Sequence, residues 1–265
     1  GNKENKDLWE WIVKISIEEI NKVYDLLGGI YFDNYKGESH VENKLKEVVK
    51  EGMSEGIITA GEKGALIINL EDNDMPPYLI KKSDGATLYS TRDIATIKQR
   101  LQDYSPNELM YVVDISQQLH FKQLFASVKK YSWFNSELDL THIRFGRMSF
   151  KDSKMSTRKG NIVMLEDVIH EAIERAKAII NEKNPKLENK EEVARMVGTG
   201  SIKYSILSQA PETDIVFDWS KILSFEGNSA PYLQYSHARA AKILKKAGDF
   251  NCKLDADYNL ETKEA

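Results

Sequence analysis

The sequence predicts an α/β fold that passes into an all-helical segment, and three patterns carry that prediction. Apolar runs of strand length at 109–113 and 141–145 flank a helical stretch at 118–131, the alternation of an α/β layer. Short extended pieces bounded by turn residues precede them. Beyond Lys190 the periodicity is mainly helical.

Taken in order, Trp9, Val13, Ile17, Ile20, Tyr24 and Leu27 recur at spacings of three and four, which predicts an amphipathic helix over 7–27. Gly28-Gly29 stops it, and 30–32 is extended. A second helix is expected over 38–50, ended by Gly52. Strands are expected at 56–60, 65–70 and 77–81, with a tight turn at Ser83-Asp84-Gly85. Thr91 is the expected cap of a helix reaching Tyr104. The run 109–113 reads as a buried strand. A polar loop, 151–161, separates the strand at 141–145 from a helix over 165–180. A charged, proline-containing joint follows at 181–190, then a helix over 192–207, a break at Pro211 and a helix over 230–247. No internal repeat is present.

The composition narrows the function classes. With 41% hydrophobic and 29% charged residues the 265-residue chain reads as an ordinary soluble protein, and no apolar stretch reaches membrane-span length. The single cysteine, Cys252, excludes an intrachain disulfide and a cysteine-based zinc site. The five histidines (His40, His120, His142, His170, His237) form no His-x-His or His-x-x-x-His pair, which argues against a metal-dependent hydrolase. A net charge of −4 argues against an all-over nucleic-acid coat, while leaving room for a local basic patch.

Chemistry concentrates in a few places. Lys154-Met155-Ser156-Thr157-Arg158-Lys159-Gly160-Asn161 gathers three cations and two hydroxyls between a strand and a helix. Such a cluster neutralises charge developing on a pyrophosphate leaving group, although the plainer reading of the run taken alone is a solvated basic loop. Tyr89 and Asp93 stand four apart, on one helical face if the helix begins near Tyr89. A carboxylate beside an aromatic ring suits a guanidinium, which it grips by two parallel hydrogen bonds while the ring stacks on the planar cation. The plainer reading is a helix start with a solvated aspartate. Gln117 and His120 follow the strand at 109–113, where ligands of open α/β sheets gather; alone, they are a capping glutamine and a half-buried histidine. The segment 142–148 leads into the basic loop, and 225–239 carries no catalytic signal and reads as structural, with Tyr232, Leu233 and Tyr235 in a core.

Together these strings resemble one family. Lys154-Met155-Ser156 resembles the Lys-Met-Ser-Lys-Ser signature of class I aminoacyl-tRNA synthetases, and 155–161 resembles their arginine-specific branch. Tyr89-Ser90-Thr91-Arg92-Asp93-Ile94-Ala95, Gln117-Gln118-Leu119-His120-Phe121, the strand 142–148 and the segment 226–239 are similar to further motifs of the arginyl-tRNA synthetases, in family order. The resemblance extends from the first helix to about Gly248.

The resemblance implies the second half of a Rossmann-type catalytic domain with a small α+β insertion over 1–200, and the beginning of an all-α anticodon-binding domain over 201–265. It implies that Tyr89, Asp93 and Gln117 hold arginine, and that His120, Gly146, Met148 and Met155 line the ATP side. Lys154, Ser156, Arg158 and Lys159 would stabilise the transition state of adenylate formation; where the class pattern has a second lysine this chain has Thr157, so Arg158 or Lys159 supplies that charge. ATP with Mg²⁺ is implied as a substrate complex, with no tightly bound cofactor and no metal held by the protein. L-arginine and tRNA-Arg are the implied partners, the parent is expected to be monomeric and cytoplasmic, and no membrane is involved. No His-Ile-Gly-His-like segment occurs. The expectation is therefore a fragment of an arginine–tRNA ligase that is inactive, or nearly so, alone. Two rivals are a non-catalytic truncated paralogue that binds arginine or a protein partner, and a different class I synthetase or a nucleotidyltransferase relative, which the Tyr89/Asp93 pair disfavours.

Overall fold

A computed structural model describes residues 2–150 and 164–248. In chain order the elements are α1 (Lys3–Leu26), α2 (Leu45–Ser54), β1 (Ile58–Ala60), β2 (Leu66–Ile68), β3 (Tyr78–Lys81), α3 (Tyr89–Tyr104), β4 (Glu108–Asp114), α4 (Gln118–Val128), β5 (Asp139–Phe145), β6 (Met148–Phe150), α5 (Leu165–Lys183), α6 (Lys190–Leu207), β7 (Ile215–Phe217), α7 (Trp219–Ile222) and α8 (Ala230–Ala247). The described residues form two compact units, one of 30–150 and 209–217, the other of 2–29, 164–208 and 218–248. Among them no helix is long and apolar enough to cross a membrane.

The first unit is α/β. Strands β1, β2 and β3 form an antiparallel sheet in that order, with Ile58 opposite Ile68 and Ile68 opposite Tyr78. Strands β4 and β5 run parallel with unbroken register from Glu108/Asp139 to Asp114/Phe145, and α4 makes the crossover between them. Val48, Ile68, Ile80, Ile94, Ile97, Leu124 and Val128 are fully buried between α2, α3, α4 and the antiparallel sheet. Each such side chain contributes about 1.5–3 kcal/mol of burial.

Three sequence expectations change in this unit. A 3₁₀ segment, Glu38–Lys44, leads into α2, and α2 runs through Gly52 to Ser54 rather than stopping at the glycine. Gly52 sits inside the helix because a Cβ there would lie 2.6 Å from the Tyr131 hydroxyl and 2.7 Å from Ile58 Cδ1. The stop is Gly56, at φ +73°, with Ile57 N–H donating to Gly52 O (2.8 Å) and Gly56 N–H to Met53 O (3.2 Å). Thr91 does not cap α3, whose first residue is Tyr89 after Leu88. Its hydroxyl donates instead to Ile80 O, and that of Ser90 to Leu79 O, each at 2.5 Å. The two hydroxyls thereby satisfy carbonyls of the edge strand β3. Strand β4 is half buried: Leu109, Tyr111 and Val113 pack on the core, while Met110 and Val112 lie on the other face, exposed. Alternation forces this wherever only one face of a strand meets a core.

The second unit is helical. Helices α5 and α6 pack along their length through Val168, Ile169, Ala172, Ala176, Ala194, Val197 and Ile202. The carboxyl end of α1 is held by α6, with Thr199 Oγ1 donating to Leu26 O (3.3 Å) and Arg195 to Asp25 O (3.2 Å). Ser229 caps α8, and Gln234 Nε2 donates to Met196 O on α6 (3.0 Å). Tyr232, Leu233 and Tyr235 are exposed, against the sequence expectation of a core position; Ala230 and Pro231, at the start of α8, are the part it buries.

Candidate active site

The site residues of the first unit are set by three element ends. Helix α3 begins at Tyr89, so Tyr89 and Asp93 occupy successive turns of one face, as their spacing predicted. Strand β4 ends at Asp114, whose carboxylate accepts from Ser116 N–H at 2.7 Å and shapes the turn Ile115–Gln117 that opens into α4. Bonds from the Ser116 side chain and backbone hold the Asp114 carboxyl below its ordinary range. Strand β5 ends beside it, and Arg147 Nε lies 3.9 Å from Asp114 Oδ2, so the turns following the two parallel strands meet at one edge.

His120 is the junction. Its Nε2 lies 2.8 Å from Asp93 Oδ2, its Nδ1 lies 3.0 Å from the Tyr78 hydroxyl, and its ring meets the Tyr89 ring edge-on at 4.8 Å. An ionised carboxylate only accepts, so Nε2 carries a proton toward Asp93, and in the neutral ring Nδ1 is then the acceptor that faces the Tyr78 hydroxyl. Burial pushes the Tyr78 hydroxyl far above its ordinary range and keeps it a donor. The His120 side chain is 10% exposed and that of Asp93 35%, so the carboxylate keeps an open side while the imidazole behind it is enclosed. Asp93 also lines a cavity of about 480 Å³, with Asp33, Lys36, Glu38 and Arg100 among its other walls.

Tyr89, Asp93 and His120 are thus brought into contact. Gln117 is exposed on the turn before α4 and makes no side-chain hydrogen bond among the described residues. Gly146 N–H donates to Pro211 O (2.9 Å) and Arg147 N–H to the Asp214 carboxylate (2.7 Å), while Met148 pairs with Ile215 in the short parallel ladder of β6 and β7. Those two amides are therefore engaged within the protein. Lys154, Met155, Ser156, Arg158 and Lys159 lie outside the described residues. Tyr78 is the residue that motif reading missed. Its signal was modest: it shares with Ile80 the inward parity of a strand, which marks a core residue rather than a hydrogen-bond donor. Among the described residues, no group of three or more His, Cys, Asp or Glu side chains is arranged to hold a metal ion.

Comparison with known proteins decides the family. Residues 1–219 match the model described as tRNA synthetases class I (R), catalytic domain. The chain belongs to that family. Its relatives include an arginine–tRNA ligase of Clostridium botulinum (strain Langeland), 44% identical over 267 residues, and one of Clostridium perfringens (strain 13), 43% identical. In each case the whole chain is covered but 46% of the relative, so the chain spans about half the length of the curated relatives it matches. Among solved structures, the arginyl-tRNA synthetase of Plasmodium falciparum superposes with a TM-score of 0.82 at 26% identity, covering 93% of this chain and 42% of that one. The Thermus thermophilus enzyme gives 0.78 at 24% identity, over 94% and 48%, a likeness of fold. The α/β architecture is that of a class I synthetase catalytic domain.

Proposed function

We propose that this chain supplies the arginine-recognising side of an arginine–tRNA ligase, which joins L-arginine to tRNA-Arg through an arginyl-adenylate made from ATP and Mg²⁺. The observation that carries this reading is Asp93, held from behind by His120 and bordered by Tyr89, with its remaining side open. A guanidinium there receives a charge-assisted hydrogen bond and an aromatic face together. Gln117, at the turn after β4, is the polar group that completes the pocket. Gly146 and Met148 flank the adenine, Met155 belongs with the ATP-binding residues, and Lys154, Ser156 and either Arg158 or Lys159 stabilise the charge on the pyrophosphate. The catalytic part is assigned to 1–200 and the anticodon-binding part to 201–265, in a monomeric, cytoplasmic parent.

The first experiment is arginine-dependent ATP–pyrophosphate exchange by this chain, with and without tRNA-Arg. The sequence holds no His-Ile-Gly-His segment to clamp ATP, so no exchange is expected in either condition. Calorimetric titration with arginine then tests the recognising side by itself. Arginine binding with no response to citrulline supports the reading; equal binding of both sinks it.

A further inference from the structure

Behind Asp93 stands a chain of two hydrogen bonds that reaches into the core. Tyr78, on β3, is 3% exposed, and its ring lies 5.7 Å from that of His120 on α4. The hydroxyl meets His120 Nδ1 at 3.0 Å, and His120 Nε2 meets Asp93 Oδ2 on α3 at 2.8 Å. Three different elements thus contribute one residue each to a directed path, and both ring nitrogens are occupied.

The direction matters. A neutral imidazole has one donor and one acceptor nitrogen, and with Tyr78 donating to Nδ1 the single ring proton resides on Nε2. The other tautomer would set a lone pair against the carboxylate and leave the Tyr78 proton without an acceptor. We propose that Tyr78 is a positioning residue for amino-acid recognition: acting through His120, it fixes Oδ2 of Asp93 and so leaves the open side of the carboxylate aimed at the guanidinium. This rests on the reading of Asp93 as the guanidinium acceptor and adds to it the residues that orient it. Metal ligands are oriented by the same logic, in which an outer partner sets tautomer and ring direction.

The test uses the chain labelled with ¹⁵N-histidine, with the His120 ring signals assigned by their loss in His120→Gln. The expected spectrum has the proton on Nε2 and a hydrogen-bonded Nδ1, whose resonance moves toward that of an unbonded imine nitrogen in Tyr78→Phe. In parallel, calorimetry is expected to show arginine binding weakened about 3- to 10-fold by Tyr78→Phe, the loss of one neutral hydrogen bond. His120→Gln is expected to weaken arginine by a similar factor, since a flexible amide replaces the rigid ring that joins Tyr78 to Asp93. Should Tyr78→Phe fail to fold, His120→Gln carries the affinity test alone. Unchanged arginine affinity in the folded variants, while Asp93→Asn loses arginine, overturns the role of Tyr78 and leaves the Asp93 reading intact. Wild-type chain that binds no arginine, or Asp93→Asn that binds it normally, overturns the Asp93 reading and this inference with it.

Discussion

Gly146 and Thr213 are packed backbone to backbone: a Cβ added at Gly146 would lie 2.5 Å from the Thr213 carbonyl oxygen. The hydrogen bond from Gly146 N–H to Pro211 O fixes the same approach. Neither atom belongs to a flexible side chain, so the clash is relieved only by moving the strand end. Gly146→Ala is expected to cost about 1–3 kcal/mol, the usual range for forced overpacking. Thermal unfolding checks it, and a melting temperature equal to wild type would contradict the packing described.

Asp93→Asn keeps the shape of the side chain and removes its charge. Arginine affinity is expected to fall about 10- to 100-fold, the loss of hydrogen bonding to a charged group, with the melting temperature little changed. Calorimetric titration reads the affinity directly. A variant that binds arginine as tightly as wild type would remove Asp93 from the pocket.

Thr91→Val replaces a fully buried hydroxyl by a methyl group of similar size and leaves the Ile80 carbonyl without its 2.5 Å donor. A loss of about 1–3 kcal/mol is expected. Urea unfolding gives the magnitude. Hydrogen exchange should locate the loosening in the first turn of α3, and faster exchange elsewhere alone would point to a different cause.

Stability should depend on pH through one cluster in particular. A hydrogen bond from Lys98 holds Glu47 below its ordinary 4.5, and hydrogen bonds from Ser132 do the same for Glu55. Burial pulls Lys98 down, but its bonds to Glu51 and Glu47 outweigh that and leave it raised above 10.5. A depressed carboxyl stabilises fully above its unfolded value and loses this as pH falls through the folded one; a raised lysine stabilises below its unfolded value and loses this as pH rises through the folded one. Unfolding free energy is therefore expected to hold between about pH 5 and 10 and to decline on both sides. Lys98→Met should make the acid limb shallower, since Glu47 loses its hydrogen bond from Lys98 while Glu55 keeps those from Ser132. Urea titrations at stepped pH measure this, and an acid limb of undiminished slope in Lys98→Met would refute the assignment.

Much of this is legible in the sequence. The stop at Gly28-Gly29, the strand–helix–strand order around α4 and the Tyr89/Asp93 face follow from periodicities of 3.6 and 2 and from turn residues, which are local properties of the chain. What escaped depends on neighbours distant in sequence. Gly52 reads as a helix stop until Ile58 and Tyr131 are seen to need its missing side chain. Thr91 reads as a cap until β3 claims its hydroxyl. Tyr78 reads as an apolar strand residue until α4 places an imidazole at its tip. The exposure of Val112 and of Leu233 has the same root: an apolar pattern states that a face is meant for burial and says nothing of which element covers it.

The bonds from Ser90 and Thr91 to Leu79 and Ile80 have one more effect. β3 is the outer strand of its sheet, the place where an unrelated peptide could add itself by main-chain pairing. With two acceptors already occupied by the helix that carries Asp93, the edge is capped by the same residues that seat the amino-acid pocket. Loosening that helix would therefore do more than blunt recognition, because it would also uncover a template for aggregation.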